Sequence, residues 1–201
     1  MQANLKFESL YWNQGMDFIC GVDEAGRGPL AGPVVAAAVI FPKGYTHPLI
    51  NDSKKLSKKQ RENLRNDIMK DALYVGIGIV DVETIDSINI LEASRKAMFD
   101  AISKLSIKPD MIISDFMDLS PLNHLSLVKG DSLSLSVAAA SIIAKTTRDD
   151  LMMMYDFLYP LYGFMNHQGY GTKKHLEALD LYGVTPIHRK SFHPVKLRMK
   201  K

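Results

Sequence analysis

The sequence predicts an α/β protein in which helices cover a mixed β-sheet. Three observations support this fold class. Short apolar runs of strand length occur early in the chain, at 18–23, 34–41 and 73–80. Apolar side chains recur at helical spacing over 89–106, and a longer helical segment follows at 134–159.

Each predicted strand is an apolar or alternating run that is closed by turn residues or carboxylates. The five predicted strands are 18–23, 34–41, 73–80, 111–114 and 125–128. Asp23 and Glu24 come at the end of the first strand, and Asp115 follows the fourth. Asp131 lies just beyond the fifth strand. Periodicity does not determine the order or direction of these strands.

The predicted helices are bounded by capping residues and by proline. They are 8–14 (a short helix or a turn), 57–72, 89–106, 134–159 and 172–181. Ser57 with Gln60 three residues later indicates a capping box, and Thr172 is placed to cap the last helix. Pro109 ends the third helix. The chain after 181 is predicted to be rich in loops.

Composition indicates a compact globular protein. The 201 residues are 46% hydrophobic and 23% charged, which predicts one core domain with an appendage. The single cysteine, Cys20, excludes an internal disulfide framework and indicates a reducing compartment. No apolar run approaches the ~20 residues of a membrane span. We therefore expect a cytoplasmic protein without a membrane partner.

Positive charge is concentrated at the C-terminal end. Residues 173–201 contain eight Lys or Arg against two acids, whereas the whole chain has a net charge of only +3. A basic end on an acidic body predicts a polyanionic ligand such as nucleic acid. A merely solubilising tail is the alternative.

The segment I-C-G-V-D-E-A-G-R-G-P-L-A-G-P, residues 19–33, combines carboxylates with permissive glycine backbone. Asp23 and Glu24 are suited to hard cations, and Arg27 between Gly26 and Gly28 is suited to phosphate or sugar. The segment has neither the Gly-Lys-Ser/Thr of a P-loop nor a G-x-G-x-x-G pattern. A solvated acidic turn is the alternative interpretation.

The D-E-A-G-R-G sequence resembles the signature of the ribonuclease HII family. The similarity continues in K-G-D-S at 129–132 and in A-A-S-I-I-A-K at 139–145, and it extends from about residue 19 to 196. The resemblance implies the ribonuclease H-like fold, a five-stranded mixed sheet with its carboxylates clustered at the centre and a small helical, basic C-terminal extension. It also implies an endoribonuclease that cuts 5′ to a ribonucleotide in RNA–DNA hybrids or duplex DNA, leaving 3′-hydroxyl and 5′-phosphate ends.

The catalytic and metal-binding residues implied by this resemblance are Asp23, Glu24, Asp115 and Asp131. If their strands are neighbours, the four carboxylates converge and repel one another unless cations neutralise them. Mg²⁺ or Mn²⁺ is the expected cofactor, because hard cations prefer oxygen ligands. Two such ions activate water and stabilise the leaving oxygen of a phosphodiester.

Two points about these acids stay open. Phe116 and Met117 replace the Gly-Asn that usually follows the third acid in the family, which leaves the assignment of Asp115 standing but puts the shape of the local loop in doubt. Asp118 is the rival candidate, and Asp115 is preferred because it ends the apolar run directly. Consecutive strand residues point to opposite faces, so Glu24 shares a site with its neighbour only if the strand has ended or bulged, or if its longer side chain reaches round.

The resemblance also implies how the substrate is read. The Gly26-Arg27-Gly28 backbone is expected to contact the ribose 2′-hydroxyl, and Tyr170 is expected to sense the RNA–DNA junction. Lys54 is expected to hold a phosphate. Two further cations, Lys145 and Arg148, are equally well explained as solvated helix charges.

The predicted organisation has three parts: a lead-in at 1–17, a catalytic domain at 18–165, and a substrate-reading segment with the basic extension at 166–201, packed on the same domain. We expect a monomer. The alternatives are a ribonuclease HIII-like enzyme, a non-catalytic hybrid-binding module of the same fold, or another nuclease or recombinase of this fold. The preferred length of ribonucleotide tract and any recruiting protein are not predicted.

Overall fold

A computed structural model describes residues 3–51, 53 and 56–199. Its centre is one five-stranded sheet in the order β3-β2-β1-β4-β5. The strands are β1 (Ile19–Ala25), β2 (Val34–Ile40), β3 (Tyr74–Val80), β4 (Met111–Asp115) and β5 (His124–Leu127). β1 pairs antiparallel with β2 and parallel with β4, so the sheet is mixed, as predicted.

Helices cover both faces of this sheet. They are α1 (Lys6–Trp12), α2 (Lys58–Asp71), α3 (Val82–Ile88), α4 (Ile90–Ser103), α5 (Leu135–Leu158), α6 (Phe164–His167), α7 (Lys173–Tyr182) and α8 (His193–Lys196). The capping box at the start of α2 is confirmed: the Gln60 N–H donates to Ser57 Oγ and the Ser57 N–H donates to Gln60 Oε1. The short helices α3, α6 and α8 were not predicted, because so few residues carry little periodic signal.

The strand that carries the acidic pair does not end early. β1 continues to Ala25, and Glu24 is paired in regular register with Ala36 of β2. Of the two alternatives for Glu24, an early strand end or bulge is therefore excluded. Strand alternation directs Asp23 and Glu24 to opposite faces, and only the longer arm of Glu24 can bring its carboxylate back towards the site.

The first strand is packed between α4 and α5. Val22 lies in an apolar cluster with Ala97 and Met98 of α4. On the other face, Gly21 lies against α5 so closely that a methyl group there would overlap the main chain of Ser136. This contact places the long helix directly behind the strand that ends in the acidic pair.

A buried carboxylate on α1 fixes the start of α5. Glu8 is 2% exposed, and its Oε1 accepts from the Ser136 N–H at 3.0 Å and from the Ser134 hydroxyl at 2.6 Å. A carboxylate at a helix N-terminus satisfies donors that the helix leaves unpaired. The N-terminal segment is thus part of the packed structure beside the turn that carries Asp131.

The C-terminal helices pack onto the loop that follows β1. Leu30 and Ala31 of that loop share an apolar cluster with Phe164 and Leu179. The basic end is only partly a solvated surface, because Arg189 within it is fully buried. The division of the chain at 17 and 165 stays a prediction. Among the described residues, no helix combines the length and the apolar character needed to cross a bilayer.

The tight contact of β1 with α5 generates a stability prediction. Gly21→Ala should lower the free energy of unfolding by at least about 3 kcal/mol, because the new methyl group meets main chain that cannot move aside. Gly28→Ala is the matched control: its methyl group would lie 3.4 Å from Tyr170, an ordinary contact, and stability should change by less than ~1 kcal/mol. Urea unfolding measures both, and equal losses would contradict this account of the packing.

Candidate active site

Three aspartates from separate segments converge at the centre of the sheet. One carboxylate oxygen from each of Asp23, Asp115 and Asp131 lies within 4.8 Å of the others. The pairing of strands explains this approach: β1 and β4 are parallel neighbours, with Val22 opposite Ser114, and each strand delivers its aspartate at the same edge. Residues more than 100 positions apart thus form one acidic cluster.

The structure distinguishes Asp115 from its rival. Asp115 Oδ1 accepts from the Gly130 N–H at 2.8 Å, which ties the end of β4 to the turn that contains Asp131. The Asp118 carboxylate instead binds Ser120 and His124, and it is not a member of the cluster. Geometry therefore favours Asp115.

Glu24 borders the cluster without belonging to the group of three. Its Oε1 lies 3.5 Å from Arg27 Nη1. Its Oε2 is buried with no hydrogen-bond partner in the part of the chain that the structure describes. A buried, unpaired carboxylate oxygen beside three more carboxylates is suited to a cation ligand, because burying it without a partner is costly.

Burial and crowding disfavour negative charge at this site. The pKa of Asp23 is raised well above its usual value, first by burial and then by repulsion from Glu24 and Asp115. The pKa of Glu24 is also raised by burial and by Asp115, although the Arg27 guanidinium opposes the shift. A divalent cation would relieve both effects, so the donor set fits a hard metal ion.

The cluster opens into a cleft of about 270 Å³. The lining residues come from β1 and the loop after it, from the end of β4, from α2 and α5, and from the segments of Ser53 and Tyr170. They are Asp23, Glu24, Ala25, Gly26, Arg27, Gly28, Ser53, Arg61, Asp115, Ser141, Lys145, Arg148 and Tyr170. The structure thus brings the predicted glycine-arginine loop and Tyr170 to the acids. Lys54 lies outside the described residues.

Tyr170 is half exposed and lies next to Gly28 in the lining of the cleft. The missing side chain of Gly28 leaves room for the tyrosine ring, since a Cβ there would lie 3.4 Å from Tyr170 Cε1. The Tyr170 N–H donates to the His167 carbonyl at 2.8 Å. One face of the cleft therefore combines main chain with an aromatic ring.

The structure places three further polar groups near the site, of which Arg148 was already considered from the sequence and Ser141 was given no role. Ser53 and Ser141 share a hydrogen bond of 2.9 Å beside Asp23, and Ser141 also bonds the Asp23 carboxylate. Arg148 is 1% exposed, so its interpretation as a solvated helix charge is wrong. Its guanidinium donates to the main-chain carbonyls of Pro33 and Ala31, which carry no sequence signal.

Two buried histidines support the Tyr170 segment. The Thr185 N–H donates to His188 Nδ1, so neutral His188 carries its proton on Nε2 and donates to His175 Nε2 at 3.0 Å. His175 in turn donates from Nδ1 to the Tyr170 carbonyl at 2.9 Å. Burial lowers the pKa of His175 to about 4, and burial with repulsion from His175 lowers the pKa of His188 to about 3.

Comparison with known proteins identifies the family of this sequence. The ribonuclease HII family profile matches residues 20–195. Ribonuclease HII of Acholeplasma laidlawii is 61% identical over 197 residues, 98% of each chain. Ribonuclease HII of Enterococcus faecalis is 55% identical over 192 residues, 95% of this chain and 75% of the relative. The crystal structure of ribonuclease H2 from Pyrococcus horikoshii superposes with a TM-score of 0.78 at 27% identity, covering 91% of this chain and 97% of that one.

The convergence of the aspartates generates a metal-binding prediction. Asp115→Asn should weaken Mn²⁺ binding at least about tenfold, because it removes one charged oxygen ligand. In chelator the variant should be as stable as the wild type or more so, since one of the crowded charges is gone. Asp118→Asn is the control and should bind Mn²⁺ normally. Calorimetric titration decides, and the reverse pattern would show that Asp118 is the ligand.

The buried histidines generate a pH prediction. In the folded protein both histidines have pKa values below the unfolded value of about 6.5. Below pH 6.5 the unfolded chain therefore binds protons that the folded protein does not, and the free energy of unfolding falls as pH falls towards 4. Together they should reduce the free energy of unfolding by about 2 kcal/mol per pH unit between pH 6 and 5. The acidic cluster changes the free energy of unfolding with pH in the opposite direction, because its pKa values are raised. The test is therefore the difference in pH slope between wild type and His188→Gln, measured by urea unfolding. The variant should lose half of this slope or more.

The control for the histidine pair is His193→Gln, because His193 is exposed. This variant should keep the wild-type slope. An unchanged slope in His188→Gln would mean that the pair does not stay neutral in the folded protein.

Proposed function

The chain belongs to the ribonuclease HII family, and on this premise we propose that it cleaves 5′ to a ribonucleotide in RNA–DNA hybrids or duplex DNA. That it is a ribonuclease H enzyme acting on nucleic acid follows from the family. The proposed products are a 3′-hydroxyl and a 5′-phosphate. The observation that carries the proposal is the convergence of Asp23, Asp115 and Asp131 beside the Gly26–Gly28 loop and Tyr170.

The family uses a divalent metal, and we propose Mg²⁺ or Mn²⁺ for this enzyme. Asp23, Glu24, Asp115 and Asp131 would hold it, because they provide the oxygen ligands that hard cations prefer. When bound, a pair of such ions supplies a nucleophilic water and charge stabilisation for the leaving oxygen. The carboxylates themselves are held in place by parallel strand pairing and by the Gly130 N–H.

Substrate binding is proposed for the other side of the cleft. The Gly26-Arg27-Gly28 main chain would contact the 2′-hydroxyl, which distinguishes RNA from DNA, and Tyr170 would lie against the sugar at the junction. Lys145 and the paired Ser53 and Ser141 hydroxyls are positioned for phosphate contacts. Lys54 remains a proposed phosphate ligand.

The basic C-terminal extension is proposed as an electrostatic contact for the duplex. Arg189 is buried and cannot release counterions. The contact would therefore involve lysines of the segment, and those that are exposed in its described part are Lys173, Lys174, Lys190 and Lys196. We further propose that the enzyme is a cytoplasmic monomer. The ribonuclease HIII-like and non-catalytic alternatives are not supported, because the family profile and the curated relatives are ribonuclease HII.

The direct test is incubation with duplex DNA that carries one ribonucleotide, in the presence of Mg²⁺ or Mn²⁺. We expect one cut 5′ to the ribonucleotide, no cut in the all-deoxy duplex, and no activity with chelator or with Asp23→Asn. Cleavage of the all-deoxy duplex would instead indicate a DNA nuclease or recombinase of the same fold.

The position of Tyr170 generates a recognition prediction. Tyr170→Ala should leave Mn²⁺ binding unchanged but slow cleavage at a single ribonucleotide by about fivefold to tenfold, since stacking contributes ~1–3 kcal/mol for a base and less for a sugar. The loss should be smaller on long hybrids, which offer further 2′-hydroxyls to the Gly26–Gly28 loop.

The control for Tyr170 is Tyr182→Ala, because Tyr182 is equally exposed and does not line the cleft. Its cleavage rates should match the wild type. Equal losses on the two substrates for Tyr170→Ala would remove the junction-sensing role and leave Tyr170 as a packing residue.

A further inference from the structure

Arg189 is a fully buried arginine whose guanidinium binds main chain instead of a carboxylate. Its side chain donates to carbonyls at 2.6–3.2 Å in the loop after β1, those of Gly26, Arg27, Pro29, Gly32 and Pro33. Its own N–H donates to the Leu30 carbonyl at 2.9 Å. One residue near the C-terminus thus organises the whole loop that carries the glycine-arginine motif.

Arg148 completes this arrangement from α5. It donates to the carbonyl of Ala31 and, together with Arg189, to that of Pro33. Carbonyls of seven of the eight residues from 26 to 33 therefore face the two arginines. Glycines at 26 and 32 permit this path, because their φ angles are +101° and +84°.

The direction of the carbonyls determines the direction of the amides. In a trans peptide unit, the C=O of one residue and the N–H of the next point to opposite sides. Because the carbonyls of Gly26 and Arg27 point at Arg189, the N–H groups of Arg27 and Gly28 point away from it. Gly26, Arg27 and Gly28 line the cleft, whereas Arg189 is not among its lining residues in the described part of the chain. The two amides therefore face the cleft.

Only an arginine can make this set of contacts. Its rigid guanidinium has five N–H donors in one plane, whereas a lysine ammonium has three donors at one point. Burying a cation is costly, so a side chain needed only to fill space would be apolar. The positive charge next to the carbonyls also polarises these peptide groups and strengthens their N–H groups as donors.

We propose that Arg189 is a positioning residue for ribonucleotide recognition: it holds the Gly26 and Arg27 carbonyls so that the Arg27 and Gly28 amides are presented to the ribose 2′-hydroxyl. This inference rests on the proposed function. Arg189 itself does not touch the substrate. It acts through the loop, which links the C-terminal segment to the discrimination of RNA from DNA.

The test compares Arg189→Lys with Arg198→Lys, a control in the same segment. Binding to a duplex with one ribonucleotide and to the all-deoxy duplex is measured in Ca²⁺, and kcat/KM for the first duplex in Mg²⁺. Arg189→Lys should lose at least about tenfold in preference for the ribonucleotide and in kcat/KM. Its all-deoxy affinity, circular dichroism and Mn²⁺ affinity should stay within about twofold of wild type. Arg198→Lys should behave as the wild type.

Two results would overturn the role of Arg189: an unchanged preference in Arg189→Lys, or parallel losses in both duplex affinities and in Mn²⁺ binding, which a structural defect would cause. A wild type with no preference for the ribonucleotide would instead refute the proposed function. If Arg189→Lys does not fold, the proposal is tested on the wild type by measuring the NMR chemical shifts of its amide groups with each duplex. The Arg27 and Gly28 amides should shift more with the ribonucleotide duplex than with the all-deoxy duplex, and equal shifts would overturn the proposal.

Discussion

Mutual repulsion among buried carboxylates is the constraint on which this structure depends. Asp23, Asp115 and Asp131 lie within 4.8 Å of one another, with Glu24 beside them, in a site where burial already disfavours charge. Such a cluster is retained only if the fold holds it by other means and if a cation neutralises it in the working enzyme. The donor set fits metal binding, and its crowding would lower the stability of the metal-free protein.

The fold counters this repulsion with rigid neighbours. Parallel pairing joins the ends of β1 and β4, and the Gly130 N–H binds Asp115 from the turn that carries Asp131. α5 lies against β1 without an intervening side chain at Gly21, and Glu8 of α1 binds the first turn of α5. The acids are thus positioned by strand pairing and by main-chain contacts.

The opposite wall of the cleft is held by buried polar side chains, two charged and two neutral. Arg148 and Arg189 bind main-chain carbonyls of the 26–33 loop, and the neutral pair of His175 and His188 binds the Tyr170 carbonyl. Each of these groups is buried and polar, and together they support the loop and the segment that carry Gly26, Gly28 and Tyr170. The proposed catalytic and recognition groups are therefore supported from two separate parts of the chain, the central sheet and the C-terminal segment.

The sequence by itself determined the α/β class, the five strands, the capping box of α2 and the motif that contains Asp23 and Glu24. These features are encoded locally, in periodicity and in short spacings. Only the tertiary structure decided that Asp115 joins the cluster and that β1 continues past Glu24, because both depend on strand pairing between distant segments. It alone identified Arg189, since the partners of this arginine are main-chain carbonyls, which every residue has and no sequence pattern marks.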